Sequence, residues 1–149
     1  MTEFESNLND LLVDVFNQIL RFEEASIKSA LESAVTVTEA HILEVIGRQT
    51  ERITVSEIAS ILNISVPTIT VALKKLEGKG FISKTASAED GRRFIIGLTE
   101  TGERIYRAHD LFHKKMVRDI SRSLSDAEKD ALLSGVKKLL DFFRGKGQK

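Results

Sequence analysis

The chain has 149 residues, 22 basic and 22 acidic side chains and 42% hydrophobic content, which suits one compact domain or a small domain with helical extensions serving an oligomer. A net charge of zero excludes a generic polycationic tail, so any nucleic-acid contact must come from local clustering. With no cysteine there is no disulfide or thiolate chemistry; the acidic start Met1-Thr-Glu-Phe-Glu5 lacks a signal-peptide layout, and no apolar run approaches the roughly 20 residues of a bilayer span, so the expected setting is cytoplasmic with no membrane partner.

From about Phe4 to Leu31, the apolar residues Leu8, Leu11, Leu12, Val15, Phe16, Ile19, Leu20, Phe22 and Ile27 recur at helical spacing. That stripe is broader than one packing face requires. Glu32 to Val35 read as a connection. Thr36-Val-Thr-Glu39 is a capping box that opens a second helix through Ile46, stopped at Gly47. Thr54-Val-Ser-Glu57 opens a third helix, Val55 to Leu62, in the same way. Asn63-Ile-Ser65 is then a short turn into a fourth helix, Val66 to Lys79. Ser65 is its cap and Pro67 sits in the first turn, where a missing N–H costs nothing. Two short helices joined by such a turn make a helix-turn-helix. Phe81 to Thr85 and Arg93 to Leu98 are rich in β-branched or aromatic residues and flank a polar turn, which predicts a hairpin. Thr99 caps a long helix to about Arg122, and Ser125-Asp-Ala-Glu128 opens the last helix. Arg144 to Lys149 are expected to fray.

The predicted fold class is mainly α with a small β-hairpin wing: a winged helix-turn-helix carrying a helical dimerisation domain. Residues 1–35 form an N-terminal dimerisation helix, 36–102 the winged helix-turn-helix, and 103–149 the C-terminal dimerisation helices. Both ends carry too much apolar surface for a monomer, which predicts a homodimer.

A helix beside a basic hairpin is how a winged helix-turn-helix grips double-stranded DNA, the helix in the major groove and the hairpin on the backbone or minor groove. On the fourth helix the candidate contacts are Ser65, Pro67, Thr68, Thr70, Val71, Lys74 and Lys75. Hydroxyls serve phosphates or base edges, Thr methyls suit the thymine methyl, and the lysines suit phosphate. In the wing, the guanidinium of Arg92 suits a narrow, electronegative minor groove, Arg93 suits phosphate, and Asp90 supports the turn. A solvated basic face is the plain alternative for the lysines taken alone. Dimer symmetry predicts a pseudo-palindromic operator. No nucleophile elbow, Gly-rich phosphate loop or HExxH is present, so the chain does not read as an enzyme and no catalytic residue is assigned.

Ser56-Glu-Ile-Ala59, Thr68 to Leu76, Gly80-Phe-Ile82, Asp90-Gly-Arg92 and Leu98-Thr-Glu-Thr-Gly102 together resemble the multiple-antibiotic-resistance regulator (MarR) family of winged-helix dimers, over nearly the whole chain. Within it, Val15 to Glu24, His41 to Gly47 and Ala108 to Val117 resemble the fatty-acid-synthesis repressors. That likeness implies control of fatty-acid-synthesis genes with long-chain acyl carrier protein as corepressor. It also implies an acyl pocket, for which Phe16, Phe22 and Ile27 are the candidates, core or dimer packing being the commoner fate of such a stripe.

His109 and His113 stand at i and i+4, on one face of a helix. With His41 and a carboxylate from the first helix, Glu23 or Glu24, they could complete a tetrahedral zinc site. Glu24, His41, His109 and His113 are similar in position to the zinc ligands of the family's zinc-uptake repressors, and zinc is the cofactor this implies. The second site of those repressors needs a thiolate and carboxylates where this chain has Ala30, Ala40 and Arg107. Three functional readings stand side by side: a lipid-synthesis repressor, a zinc-responsive repressor of metal uptake, and a dimeric interaction module without DNA binding.

Overall fold

The computed structural model describes residues 1–31, 35–49, 53–86 and 94–146. Among the described residues, six helices and one hairpin follow in the order α1 (Glu3–Leu31), α2 (Val37–Gly47), α3 (Val55–Leu62), α4 (Val66–Gly78), β1 (Ile82–Ala86), β2 (Phe94–Leu98), α5 (Glu100–Arg122) and α6 (Asp126–Lys146). The chain divides into two compact units, Met1–Phe112 and His113–Lys149, with the boundary inside α5.

Side-chain caps set most of these boundaries. At α2 the Thr36 hydroxyl accepts from the Glu39 N–H at 3.2 Å while the Glu39 carboxylate accepts from the Thr36 N–H at 2.9 Å. The same reciprocal pair forms at α3 between Thr54 and Glu57 and at α6 between Ser125 and Glu128. Each box satisfies two N–H groups that the first helical turn leaves without partners. The hydrogen bonds from Ser125 also hold the Glu128 carboxyl below its ordinary range.

The first unit closes around Ile42, Leu43, Ile58, Ile69, Leu73, Leu76 and Ile105, all fully buried. They come from α2, α3, α4 and the first half of α5, so the core sits directly behind α4. β1 and β2 pair antiparallel from Ile82 opposite Leu98 to Ala86 opposite Phe94, and Ile53 adds an isolated bridge to Ile96. The first strand thus begins at Ile82, one residue later than the sequence predicts; Arg93, the predicted start of the second, lies outside the described residues. The fraying expected from Arg144 is not observed up to Lys146, because α6 carries on through Arg144 and Gly145.

The Leu98-Thr-Glu-Thr-Gly102 motif acquires a physical reason at the junction of hairpin and α5. The Thr99 hydroxyl donates to the Gly80 carbonyl at 2.7 Å and accepts from the Gly102 N–H at 3.1 Å. The Thr99 N–H donates to the Phe81 carbonyl at 3.0 Å. These bonds draw the first turn of α5 so close to Phe81 that a Cβ on Gly102 would sit 1.9 Å from the Phe81 carbonyl oxygen. Only glycine fits there.

Much of α1 and α6 is uncovered in the protomer. Leu11, Leu12, Val15, Phe16 and Phe22 of α1 and Leu132, Leu133, Val136, Leu140, Phe142 and Phe143 of α6 are all exposed. Among the described residues, no single helix is long and apolar enough to cross a membrane.

Candidate nucleic-acid interface

The chain bends by 113° between α3 and α4, inside the roughly 90–120° range of a helix-turn-helix. The bend is made at Asn63, which takes the left-handed conformation (φ 52°, ψ 43°) and ends α3. Asparagine reaches that region more easily than other side-chain-bearing residues. Ser65 then caps α4, its hydroxyl accepting from the Thr68 N–H at 3.4 Å, with Pro67 in the first turn. Ile69, Leu73 and Leu76 anchor one face of α4 in the core.

The opposite side of α4 is open. Ser65, Pro67, Thr68, Thr70, Val71, Lys74 and Lys75 are all exposed, so the structure brings the helical candidates onto one accessible surface. The hydroxyls already have internal partners: Ser65 Oγ and Thr68 Oγ1 lie 2.7 Å apart, and Thr70 Oγ1 donates to the Val66 carbonyl at 2.8 Å. Asp90, Arg92 and Arg93 lie outside the described residues. The strand ends that bracket them, Ala86 and Phe94, face each other in the ladder.

A second polar link fixes the far end of α4. Lys79 Nζ donates to both carboxylate oxygens of Glu39, at 2.9 and 2.8 Å. Burial pushes the Glu39 carboxyl up, but the hydrogen bond from Lys79, the N–H of Thr36 and the charges of Lys79 and Lys75 outweigh it and hold the group below its ordinary value near 4.5. One buried carboxylate therefore caps α2 and holds the C-terminal end of α4. Sequence reading missed this pair, because 40 residues separate its members and neither belongs to a local motif with the other.

Behind α4, α1 and α2 meet α5 at a buried cluster. Glu23 Oε1 lies 3.2 Å from His41 Nε2 and 3.6 Å from His109 Nε2. His109 Nδ1 lies 3.1 Å from Glu44 Oε2, and Glu44 is also paired with Arg48. Glu23 and His109 are each only 3% exposed. The carboxylate named in the zinc set needs correcting: Glu24 points to solvent and lines a different cavity, while Glu23 faces the histidines. Consecutive helical residues are about 100° apart, so only one of the two can face inward. The signal was present in Ile27, four residues after Glu23 and on the same buried face. His113 follows His109 by one turn of α5 and begins the second compact unit. Glu44 was also missed, having no metal-ligand spacing of its own.

The acyl-pocket candidates separate as well. Ile27 lines a cavity of about 440 Å³ with Glu24, Lys28, Val35, Thr36 and Val37. Phe16 and Phe22 do not join it and are exposed on α1: Phe22 lies about 140° around the helix from Ile27, and Phe16, on the same face, lies three turns or about 16 Å away along it.

Residues 35–94, from α2 to the start of β2, match the model of the MarR family. The crystal structure of Streptococcus pneumoniae FabT in complex with DNA superposes with a TM-score of 0.90 at 30% identity, covering 95% of this chain and 98% of that one. The transcriptional regulator AdcR of Streptococcus pneumoniae is 30% identical over 110 residues, 73% of this chain and 74% of AdcR. The chain belongs to the MarR family. Its fold is the winged helix-turn-helix of that family. The MarR-type chain spans about half the length of the curated relatives it matches first: against the HTH-type regulator YhjH of Bacillus subtilis, identity is 31% over 84 residues, 56% of this chain and 47% of YhjH.

Proposed function

We propose that this MarR-family regulator is a homodimeric repressor that binds a pseudo-palindromic DNA operator and controls fatty-acid-synthesis genes, with long-chain acyl carrier protein as corepressor. The observation that carries the DNA reading is α4 itself, anchored by Ile69, Leu73 and Leu76 and held at a 113° bend from α3, with its candidate contacts on the open side. The dimer reading rests on the exposed apolar residues of α1 and α6. Half-sites about one helical turn apart follow from two-fold symmetry, and Arg92 of the wing is the proposed minor-groove contact. The lipid reading is supported by the three resembling sequence stretches and by the likeness to FabT. The cavity beside Ile27 is the place proposed for the acyl chain.

The test is a mobility shift on the chain's own promoter and on promoters of fatty-acid-synthesis genes, with and without acylated carrier protein. Long-chain acylated carrier is expected to tighten the complex, and the unacylated carrier to leave it unchanged. Binding to none of these duplexes would overturn the assignment.

A second reading has its own observation. In tetrahedral zinc coordination with ligands near 2.1 Å, ligand atoms stand about 3.4 Å apart. The ligand atoms of Glu23, His41 and His109 lie within 4.8 Å of one another, with 3.2 and 3.6 Å along the two edges from Glu23. Glu44 behind His109 has the place of the carboxylate that orients a zinc-bound histidine. The residues fit the ion. Here zinc would tie α1, α2 and α5 together, and chelation should loosen the operator complex. Because the histidines must be neutral to bind, the zinc effect should fade as pH falls toward about 6. A chelator-sensitive complex with no response to acylated carrier would select this reading over the lipid one.

A further inference from the structure

The outer surface of α4 is poor in side chains that read a base by paired hydrogen bonds. Its sequence, Val66 to Gly78, contains no Arg, Asn or Gln, so of the residues that bond two atoms of one guanine or adenine in the major groove it carries only Lys74 and Lys75. Several of the polar groups it does contain are engaged. The Thr70 hydroxyl donates back to the Val66 carbonyl, the Ser65 and Thr68 hydroxyls bond each other, and Glu77 pairs with Lys84 at 3.1 Å. Lys74 and Lys75 are point charges on flexible stems, suited to phosphate more than to base edges.

Between these polar groups runs an apolar ridge. Val71, two residues after the buried Ile69, lies about 200° around the helix from it. It is 57% exposed, and Pro67, one turn earlier, is exposed too. A Cβ on Gly78, seven residues after Val71, would meet nothing within 4 Å, so neighbouring structure leaves this ridge open. Branching at Cβ restricts the rotamers of Val71. With its proton donated to the Val66 carbonyl, the Thr70 hydroxyl keeps acceptor capacity alone, and the methyl is the apolar group Thr70 offers. In the major groove the base group that matches such a surface is the C5-methyl of thymine.

We infer that Val71, with the Thr70 methyl beside it, determines operator specificity by packing on thymine C5-methyl groups, so that α4 selects sequence through apolar contact. This rests on the DNA-binding function proposed above and deepens it. The lysines then add affinity common to all sequences, and the discrimination comes from whether a methyl lies opposite Val71.

The test lets the full-length chain select its own duplex from a random-sequence library. The selected duplex is then remade with each thymine replaced singly by deoxyuridine, which preserves every hydrogen-bonding group and removes only the methyl. At one or two thymines per half-site, the replacement should weaken binding about fourfold, the effect of leaving one methyl-sized group uncovered, and about fifteenfold when both half-sites carry it. Val71→Ala should bind the thymine and uracil duplexes alike at that position. Lys74→Ala should weaken both and keep their ratio. Indifference to uracil at every thymine overturns the inference, as does a uracil effect that persists in Val71→Ala. A chain that selects no duplex overturns the DNA-binding function instead, and the inference with it.

Discussion

The helix-turn-helix and the terminal helices treat the same kinds of residue in opposite ways. In α2, α3 and α4 the large aliphatic side chains Ile42, Leu43, Ile58, Ile69, Leu73 and Leu76 are fully buried within one protomer. In α6 the comparable residues Leu132, Leu133, Val136, Leu140 and Phe143 are exposed, and α1 repeats the pattern with Leu11, Val15 and Phe16. Short helices of 8 and 13 residues joined at a steep bend converge their apolar faces on one point. Long helices of 29 and 21 residues carry apolar stripes that need a second partner along their length. The stability of the first region is therefore intramolecular, whereas the proposed dimer makes that of the second depend on protein concentration.

The largest expected effect comes from removing the unpartnered region. Deleting residues 1–20, or everything from Asp126, should give aggregated or unfolded chain, since obligate dimers often lack a stable monomer. Sedimentation and far-UV circular dichroism read the outcome, and a well-folded monomer from either deletion would break the comparison. Within the self-contained region, Gly102→Ala should cost about 3 kcal/mol or more in chemical denaturation, because its Cβ would overlap the Phe81 carbonyl.

A smaller effect is expected at the Glu39–Lys79 pair. Lys79→Met should cost about 1–3 kcal/mol at pH 7, less than the loss of a fully buried partner because the Lys79 side chain is 38% exposed. The sign of the pH dependence follows from the depressed carboxyl. Its stabilisation is fully present above the ordinary value near 4.5 and is lost as pH falls through the lower folded value. The gap between parent and variant in urea melts should therefore be widest near neutrality and close on acidification. A gap independent of pH would mean that Lys79 acts through packing alone. The smallest effect sharpens the surface of α4: Lys74→Ala should leave the fold intact, weaken binding to all duplexes alike, and reduce the salt slope by about 1 per protomer. A sequence-selective loss would make Lys74 a base reader.

The elements were legible in the sequence wherever a local signal set them. The capping boxes at Thr36, Thr54 and Ser125 and the Ser65-Val-Pro67 opening each place a helix start, because capping bonds span only three residues. The α4 surface was legible for the same reason, since buried Ile69, Leu73 and Leu76 define its opposite side. Glu23 was harder, its neighbour Glu24 being chemically identical and only the burial of Ile27 separating them. Phe16 and Phe22 are pocket candidates through the likeness to the fatty-acid-synthesis repressors, but an amphipathic pattern this broad does not say which of its residues meets a cavity and which meets solvent.

By itself, the sequence determined the order of helices and hairpin, the helix-turn-helix with its turn over Asn63-Ile-Ser65, and the resemblance to the MarR family that the family match bears out; each depends on interactions a few residues long or on a stretch of contiguous positions. Only the tertiary structure decided that Glu39 links α2 to the end of α4, that Glu23 and not Glu24 stands between His41 and His109, and that Gly102 must be glycine because α5 crosses the Phe81 carbonyl. Those outcomes depend on groups far apart in the chain approaching within a few ångströms, and that distance is set by the packing of whole helices against the core.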